Sequence, residues 1–150
     1  MSQTPPLTAD AIVARLGLAQ HPEGGWFRQT WIEERPEGDG TRPAGTAIYY
    51  LLAAGQRSHW HRVDATEIWH FYAGAPLVLS IAETEAGPAR DITLGPDLAA
   101  GQVPQAIVPK GNWQAARPTG AWSLAGCTVS PAFRFEGFEL APEGFDIPRD

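Results

Sequence analysis

Two imidazoles and a carboxylate stand close together in the middle of the chain, within residues 55–74, GQRSHWHRVDATEIWHFYAG. His59 and His61 are two positions apart, so on a regular strand both project to one side and Trp60 to the other. Glu67 opens the next extended run after the polar stretch 62–66, so a hairpin brings its carboxylate beside the imidazole pair. Such a trio supports two chemistries. Three protein ligands with open positions left over suit a divalent transition metal. Without a metal the same groups make a proton-transfer pair, with His61 as base and Glu67 fixing its tautomer. An isolated His-x-His on a strand is also common as a structural or surface feature, so the rest of the chain has to decide.

Gln114 is the next candidate, three residues beyond the tight turn Pro109-Lys110-Gly111. Its carbonyl oxygen is a hard, neutral donor and a weaker ligand than imidazole for a transition metal. Arg28 lies in an aromatic strand; turned inward, it needs an anionic partner, either Glu23, Glu67 or an acidic group of a ligand. Tyr49 and Tyr50 alternate faces, and one of them, taken as Tyr50, reaches the interior. His70 falls on the face opposite Glu67 by alternation, which favours a core or interface role. Trp60, Trp69 and Trp113 read as core. His21, ahead of Pro22-Glu23-Gly24-Gly25, reads as an exposed or structural residue of a turn. Lys110 reads as solvated, and the lone Cys127, inside an apolar run, as a small buried hydrophobe.

The elements that must position these residues are nearly all strands. One helix is predicted over 8–17: Thr8 caps it, Ile12, Val13 and Leu16 recur at helical spacing, and Gly17 ends it. Beyond it, residues 25–32, 46–52, 59–63, 67–73, 77–82, 89–94, 105–108, 113–116, 121–129 and 133–140 read as short strands separated by Gly/Pro turns. In the first of these, Trp26, Arg28 and Thr30 share one face and Phe27, Gln29 and Trp31 the other. Residues 142–150 read as a surface tail. Many short strands with regular turns favour a closed or doubly layered antiparallel structure, in which sheet edges are hidden.

Composition narrows the class. The chain of 150 residues carries 17 acidic and 11 basic residues, a net charge of −6, which disfavours nucleic acid as a partner. Its apolar runs are too short to cross a bilayer, and the first ten residues show no signal-peptide pattern, so no membrane partner and a cytoplasmic location are expected.

Two motifs in order carry a family resemblance. Gly55…His59-x-His61…Glu67-x6-Gly74 resembles the first motif of the cupin superfamily, and Pro109-x-Gly111-x2-Gln114 the second, whose last position is usually histidine. The spacings depart from the pattern: three residues separate Gly55 from His59, and five separate His61 from Glu67. Residues 18–28, 46–52, 60–63, 67–74, 104–114 and 126–138 together are similar to the cupin-5 group, over nearly the whole chain. The resemblance implies an all-β double-stranded β-helix (a cupin jelly roll) over about 25–140, one domain with its short N-terminal helix, paired as a homodimer. Near relatives by shape are sugar-nucleotide epimerases that use a histidine base and no metal. A divalent metal (Zn, Ni, Mn or Fe) held by His59, His61, Glu67 and Gln114 is the alternative arrangement.

Three functions follow as expectations. The first is an isomerase or epimerase acting on a small polar, sugar-like or anionic molecule, with His61 and Glu67 catalytic and Arg28, Tyr50, His59 and Gln114 binding substrate. The second is a ligand-binding or sensor module without chemistry, and the third a metal-dependent dioxygenase-like reaction, against which Gln114 argues. A buried polar cluster costs a few kcal/mol per unsatisfied group, so if these side chains point inward they mark a site rather than a stabilising core.

Overall fold

The computed structural model describes residues 6–36 and 38–149. Helix α1 (Ala9–Leu16) starts where the Thr8 hydroxyl accepts the Ala11 N–H at 3.1 Å and stops at Gly17, whose φ of 67° suits a residue without a side chain. Eleven strands follow: β1 (Ala19–Gln20), β2 (Trp26–Ile32), β3 (Thr46–Ala53), β4 (Ser58–Val63), β5 (Thr66–Gly74), β6 (Leu77–Ala82), β7 (Arg90–Leu94), β8 (Gln105–Val108), β9 (Trp113–Pro118), β10 (Trp122–Ser130) and β11 (Phe138–Leu140). They form two antiparallel sheets, ordered β1-β2-β3-β10-β5-β8 and β11-β4-β9-β6-β7. No helix among the described residues is long and apolar enough to cross a membrane.

The inner faces meet in a core of Tyr50, Leu52, Trp69, Leu77, Leu79, Ile81, Leu94 and their neighbours. Strand β6 is buried at all six positions, because both its faces are covered. Leu77, Leu79 and Ile81 face the other sheet. On the outer side, residues 141–149 lie back across Ala82, Trp60 and Trp113 and insert Ala141, Phe145 and the fully buried Ile147. The expected surface tail is therefore a strap, anchored by the apolar side chains at 141, 145 and 147; Asp150 lies outside the described residues. Helix α1 covers part of the six-stranded sheet in the same way, through Ile12 against Leu18 and Leu51.

One expected strand breaks up. Residues 133–140 read as a single extended run, but Phe135–Gly137 is a 3-10 turn and only Phe138–Leu140 pairs, with β4. The Phe133, Phe135 and Phe138 rings pack edge to face, with centroids 5.0–6.0 Å apart. The turn gathers three aromatic side chains at one end of the barrel, and that end holds the candidate site.

Candidate active site

His61 reaches the interior because β4 does not alternate regularly. Ser58 pairs with Ala116 and His61 with Gln114, so three steps along β4 match two along β9. The extra residue is a β-bulge, and it slips the side-chain period by one. Ser58 and His61 both face inward, exposed by 0% and 2%. The expected pairing of His59 with His61 in one cavity fails for that reason. His59 turns to the outside of the barrel, where its Nε2–H donates to the Pro142 carbonyl at 2.9 Å and its buried Nδ1 has no partner among the described residues. It lines a separate outer cavity of about 170 Å³ with Arg57, Arg117 and Arg149.

The carboxyl beside His61 is Glu23, which sequence reasoning did not place in the site. The turn 21–25 folds inward through two consecutive left-handed glycines, Gly24 (φ 110°) and Gly25 (φ 75°). A side chain on Gly24 would run into the Arg57 carbonyl, and one on Gly25 would meet Leu52 and the Leu51 carbonyl within 2.8 Å. Only glycines let this turn press against the barrel wall. The Glu23 carbonyl accepts the His59 N–H at 2.8 Å, and the Gly24 carbonyl accepts the Tyr50 hydroxyl at 2.5 Å. Glu23 Oε2 then lies 3.0 Å from His61 Nδ1 and takes the Ser58 hydroxyl, while Oε1 lies 3.3 Å from His21 Nδ1. His21 is buried as well, and its Nδ1 accepts the Glu23 N–H at 3.1 Å.

Electrostatics follow from burial. Desolvation pushes the Glu23 carboxyl up to about 8, against the pull of the Ser58 hydroxyl. Desolvation, then the His61 charge, pushes His21 down to about 4. His61 is lowered by burial, against the opposing effects of Glu67 and the His59 carbonyl. The short contact between Glu23 and His61 is therefore a hydrogen bond between neutral groups near pH 7, not an ion pair. His61 Nδ1 also faces the His59 carbonyl at 2.7 Å. A carbonyl only accepts, so Nδ1 carries the proton and Nε2 holds the lone pair, on a ring that lines the cavity.

Glu67 completes the polar floor. Trp69 Nε1–H donates to Gln114 Oε1 at 2.8 Å, and Gln114 Nε2 donates to Glu67 Oε1 at 2.8 Å. An indole N–H can only donate, so the amide oxygen of Gln114 must face Trp69 and its NH₂ must face Glu67. Burial raises the Glu67 carboxyl to about 7, with His61 pulling the other way. Glu67 makes no direct bond to the His61 ring; it acts on that ring through space. The buried Cys127 thiol beside Glu67 is held well above its ordinary range by burial and stays protonated.

The expected metal quartet does not assemble. His59 is on the outer surface, and Gln114 is fully buried with its only lone-pair oxygen committed to Trp69, presenting donors to the site. Among the described residues no three His, Cys, Asp or Glu side chains converge as a metal-ligand set. Arg28 also lies elsewhere: it is exposed and donates to the Leu16 carbonyl at 3.2 Å, capping α1. Its alternation partners Phe27 and Gln29 are the β2 residues that line the cavity. Tyr50 is inside, 1% exposed, but packs on Trp69 and holds the 21–25 turn instead of lining the cavity. His70 faces outward, between Thr128 and Gln105.

The cavity itself is about 70 Å³. It is lined by His21, Glu23, Gln29, Thr46, His61 and Glu67 and by the apolar Phe27, Ile48, Val63, Val129 and the three rim phenylalanines.

The chain and its fold have counterparts. The chain matches the family described as Cupin superfamily (DUF985) over residues 10–141. It is a member of that family. This cupin is similar to a solved protein of Shewanella oneidensis, with 40% identity, a TM-score of 0.83, and coverage of 91% of this chain and 85% of the other. It is also similar to a hypothetical protein from Leishmania major, with 28% identity, a TM-score of 0.81, and coverage of 93% and 90%. A dTDP sugar isomerase from Desulfovibrio desulfuricans G20, 17% identical with a TM-score of 0.58 over 81% of this chain and 83% of its own, shares the fold. Among curated proteins none matches the chain.

Proposed function

We propose that this cupin is a proton-transfer enzyme of the isomerase type, acting next to the carbonyl of a small molecule held in the barrel cavity. One observation carries the reading: a neutral imidazole, its Nδ1–H fixed by a backbone carbonyl and Glu23, lines an apolar cavity that also contains a carboxyl of pKa about 7. His61 Nε2 takes a proton from the carbon adjacent to the carbonyl. The C–H electron pair becomes the enol double bond, and the carbonyl oxygen takes the proton of the Glu67 carboxylic acid. Return of a proton to either carbon face, with Glu67 recovering its own, gives isomerised product or substrate. A general acid near the working pH is suited to both directions. Glu23, Ser58 and Tyr50 are positioning residues: the first two hold the imidazole and the third the turn that brings Glu23 in.

The test is exchange of α-protons with deuterated solvent. Expected is protein-dependent exchange on a small ketone, lost in His61→Ala while the circular dichroism spectrum is kept; exchange that survives in a folded His61→Ala sinks the reading. A pure binding module is the second reading, favoured by the apolar lining, and it predicts saturable binding with no exchange. The dioxygenase-like reading loses its support because His59 faces outward and the Gln114 oxygen is committed to Trp69. We also propose a homodimer through the outer face of the six-stranded sheet, where Trp31, Tyr72 and Ile107 are each more than half exposed. Light scattering on the purified chain reports its mass directly, and a monomer at micromolar concentration rules the pairing out.

A further inference from the structure

We infer that the barrel cavity selects small, uncharged molecules with an apolar body, and rejects the anionic and phosphorylated ligands that an Arg28-lined pocket would take. The inference rests on the proton-transfer site above and names what that site accepts.

Three observations lead there. First, among the described residues no Lys or Arg lines the cavity. Arg28 is spent on the α1 C-terminus, and Arg134, between Phe133 and Phe135 in sequence, is drawn with Arg42 to Asp64. An anion entering the cavity would lose its water with no cation to replace it. Second, the two ionisable acids on the wall, Glu23 and Glu67, are held towards their neutral forms by the same desolvation, and a ligand anion would repel whichever of them ionised. The polar floor thus offers hydroxyl donors and an imidazole lone pair, partners for a carbonyl or hydroxyl group. Third, apart from the uncharged Gln29 and Thr46 the remaining lining is aliphatic and phenyl, and the half-exposed Phe135 stands at the rim, so the ligand's entry path is largely apolar too. On this measure one water needs about 10–15 Å³, so a cavity of about 70 Å³ holds a handful of heavy atoms. A nucleotide-linked sugar is excluded from it by size and by charge. A cation is the remaining alternative, since an ammonium group could pair with an ionised Glu67 and face the rim phenylalanines, at the cost of its own water and of ionising a carboxyl that burial holds towards its neutral form.

The experiment uses the wild-type chain with methyl-labelled Ile and Val at pH 7. Butan-2-one, 2-methylbutanoate and butan-2-amine, matched in size and differing in charge, are titrated in turn, and the Ile48, Val63 and Val129 methyl signals are followed. Expected is saturable binding of the ketone with a Kd at least about tenfold below that of either charged probe. A carboxylate or ammonium probe that binds as tightly as the ketone overturns the inference, as does the absence of saturable ketone binding. Exchange of α-protons separates this from the reading beneath it. Butan-2-one that binds without exchanging removes the proton transfer and leaves the ligand class standing. Faster protein-dependent exchange on 2-oxobutanoate than on butan-2-one removes the ligand class and leaves the proton transfer.

Discussion

His59 and His61 are the same residue type on the same strand, two positions apart, yet they live in different surroundings. His61 is sealed within the barrel, neutral, hydrogen-bonded through Nδ1 and within reach of two buried carboxyls. His59 lies on the outer face against the C-terminal strap, among arginines. A single extra residue in β4 makes the difference, because side-chain direction along a strand is a count of positions and a bulge changes the count. Chemistry assigned from spacing alone is only as good as the assumption of a regular pleat.

The comparison breaks most readily at the two rings themselves. His61→Ala should lower the rate of α-proton exchange by about 10²–10⁴-fold, the usual contribution of a positioned general base, whereas His59→Ala should leave it within about twofold. Equal losses in the two variants would erase the distinction. The next effect lies in the turn that supplies Glu23. Gly24→Ala places a side chain against the Arg57 carbonyl at a φ of 110°, and should cost on the order of 2–3 kcal/mol in a denaturant titration while uncoupling Glu23 from His61.

Stability against pH sharpens the contrast further. Glu23 and Glu67 titrate higher in the folded chain than the 4.5 of a free carboxyl, so the folded state binds more protons, and their contribution falls as pH rises from about 4.5 to about 7 and 8. His21 and His61 work the other way: burial holds both folded values below 6.5, His21 at about 4, so their contribution rises with pH. Above pH 6.5 the histidine contribution levels off within about one pH unit and the two carboxyls dominate. The Tm should therefore decline between pH 6.5 and 8, and the decline should flatten in the isosteric double variant Glu23→Gln, Glu67→Gln. A smaller change is expected from Tyr50→Phe, which removes the hydroxyl held by Gly24 and should cost about 1 kcal/mol of stability. Arg28→Ala should be smallest, a few tenths of a kcal/mol from the α1 C-terminus, with no change in ligand affinity.

Most of the frame was legible in the sequence. The helix bounded by Thr8 and Gly17 and nine of the ten expected strand runs stand within a residue or two of where alternation and turn chemistry put them, since those signals are local. The inward facing of His61 and Glu67 also agrees with reading. What could not be read depends on contacts between distant segments. The β4 bulge is defined only against β9. Glu23 enters through a turn whose composition, His-Pro-Glu-Gly-Gly, resembles any solvent-exposed loop; the available hint was the pair of adjacent glycines, which allow backbone to pass close to backbone. The β2 alternation placed Phe27 and Gln29 opposite Arg28, but choosing the inner face by the charge on Arg28 selected the wrong one. The three rim phenylalanines were hidden in a stretch that reads as strand.

Imidazole nitrogen NMR reports the division between the two rings without reference to any substrate. For His61, a protonated Nδ1 and a bare Nε2 are expected at pH 7, with titration displaced below 6.5 by burial. A His61 ring that is protonated on Nε2, or that titrates at 6.5 as in a solvated peptide, would contradict the placement of a neutral base inside the barrel.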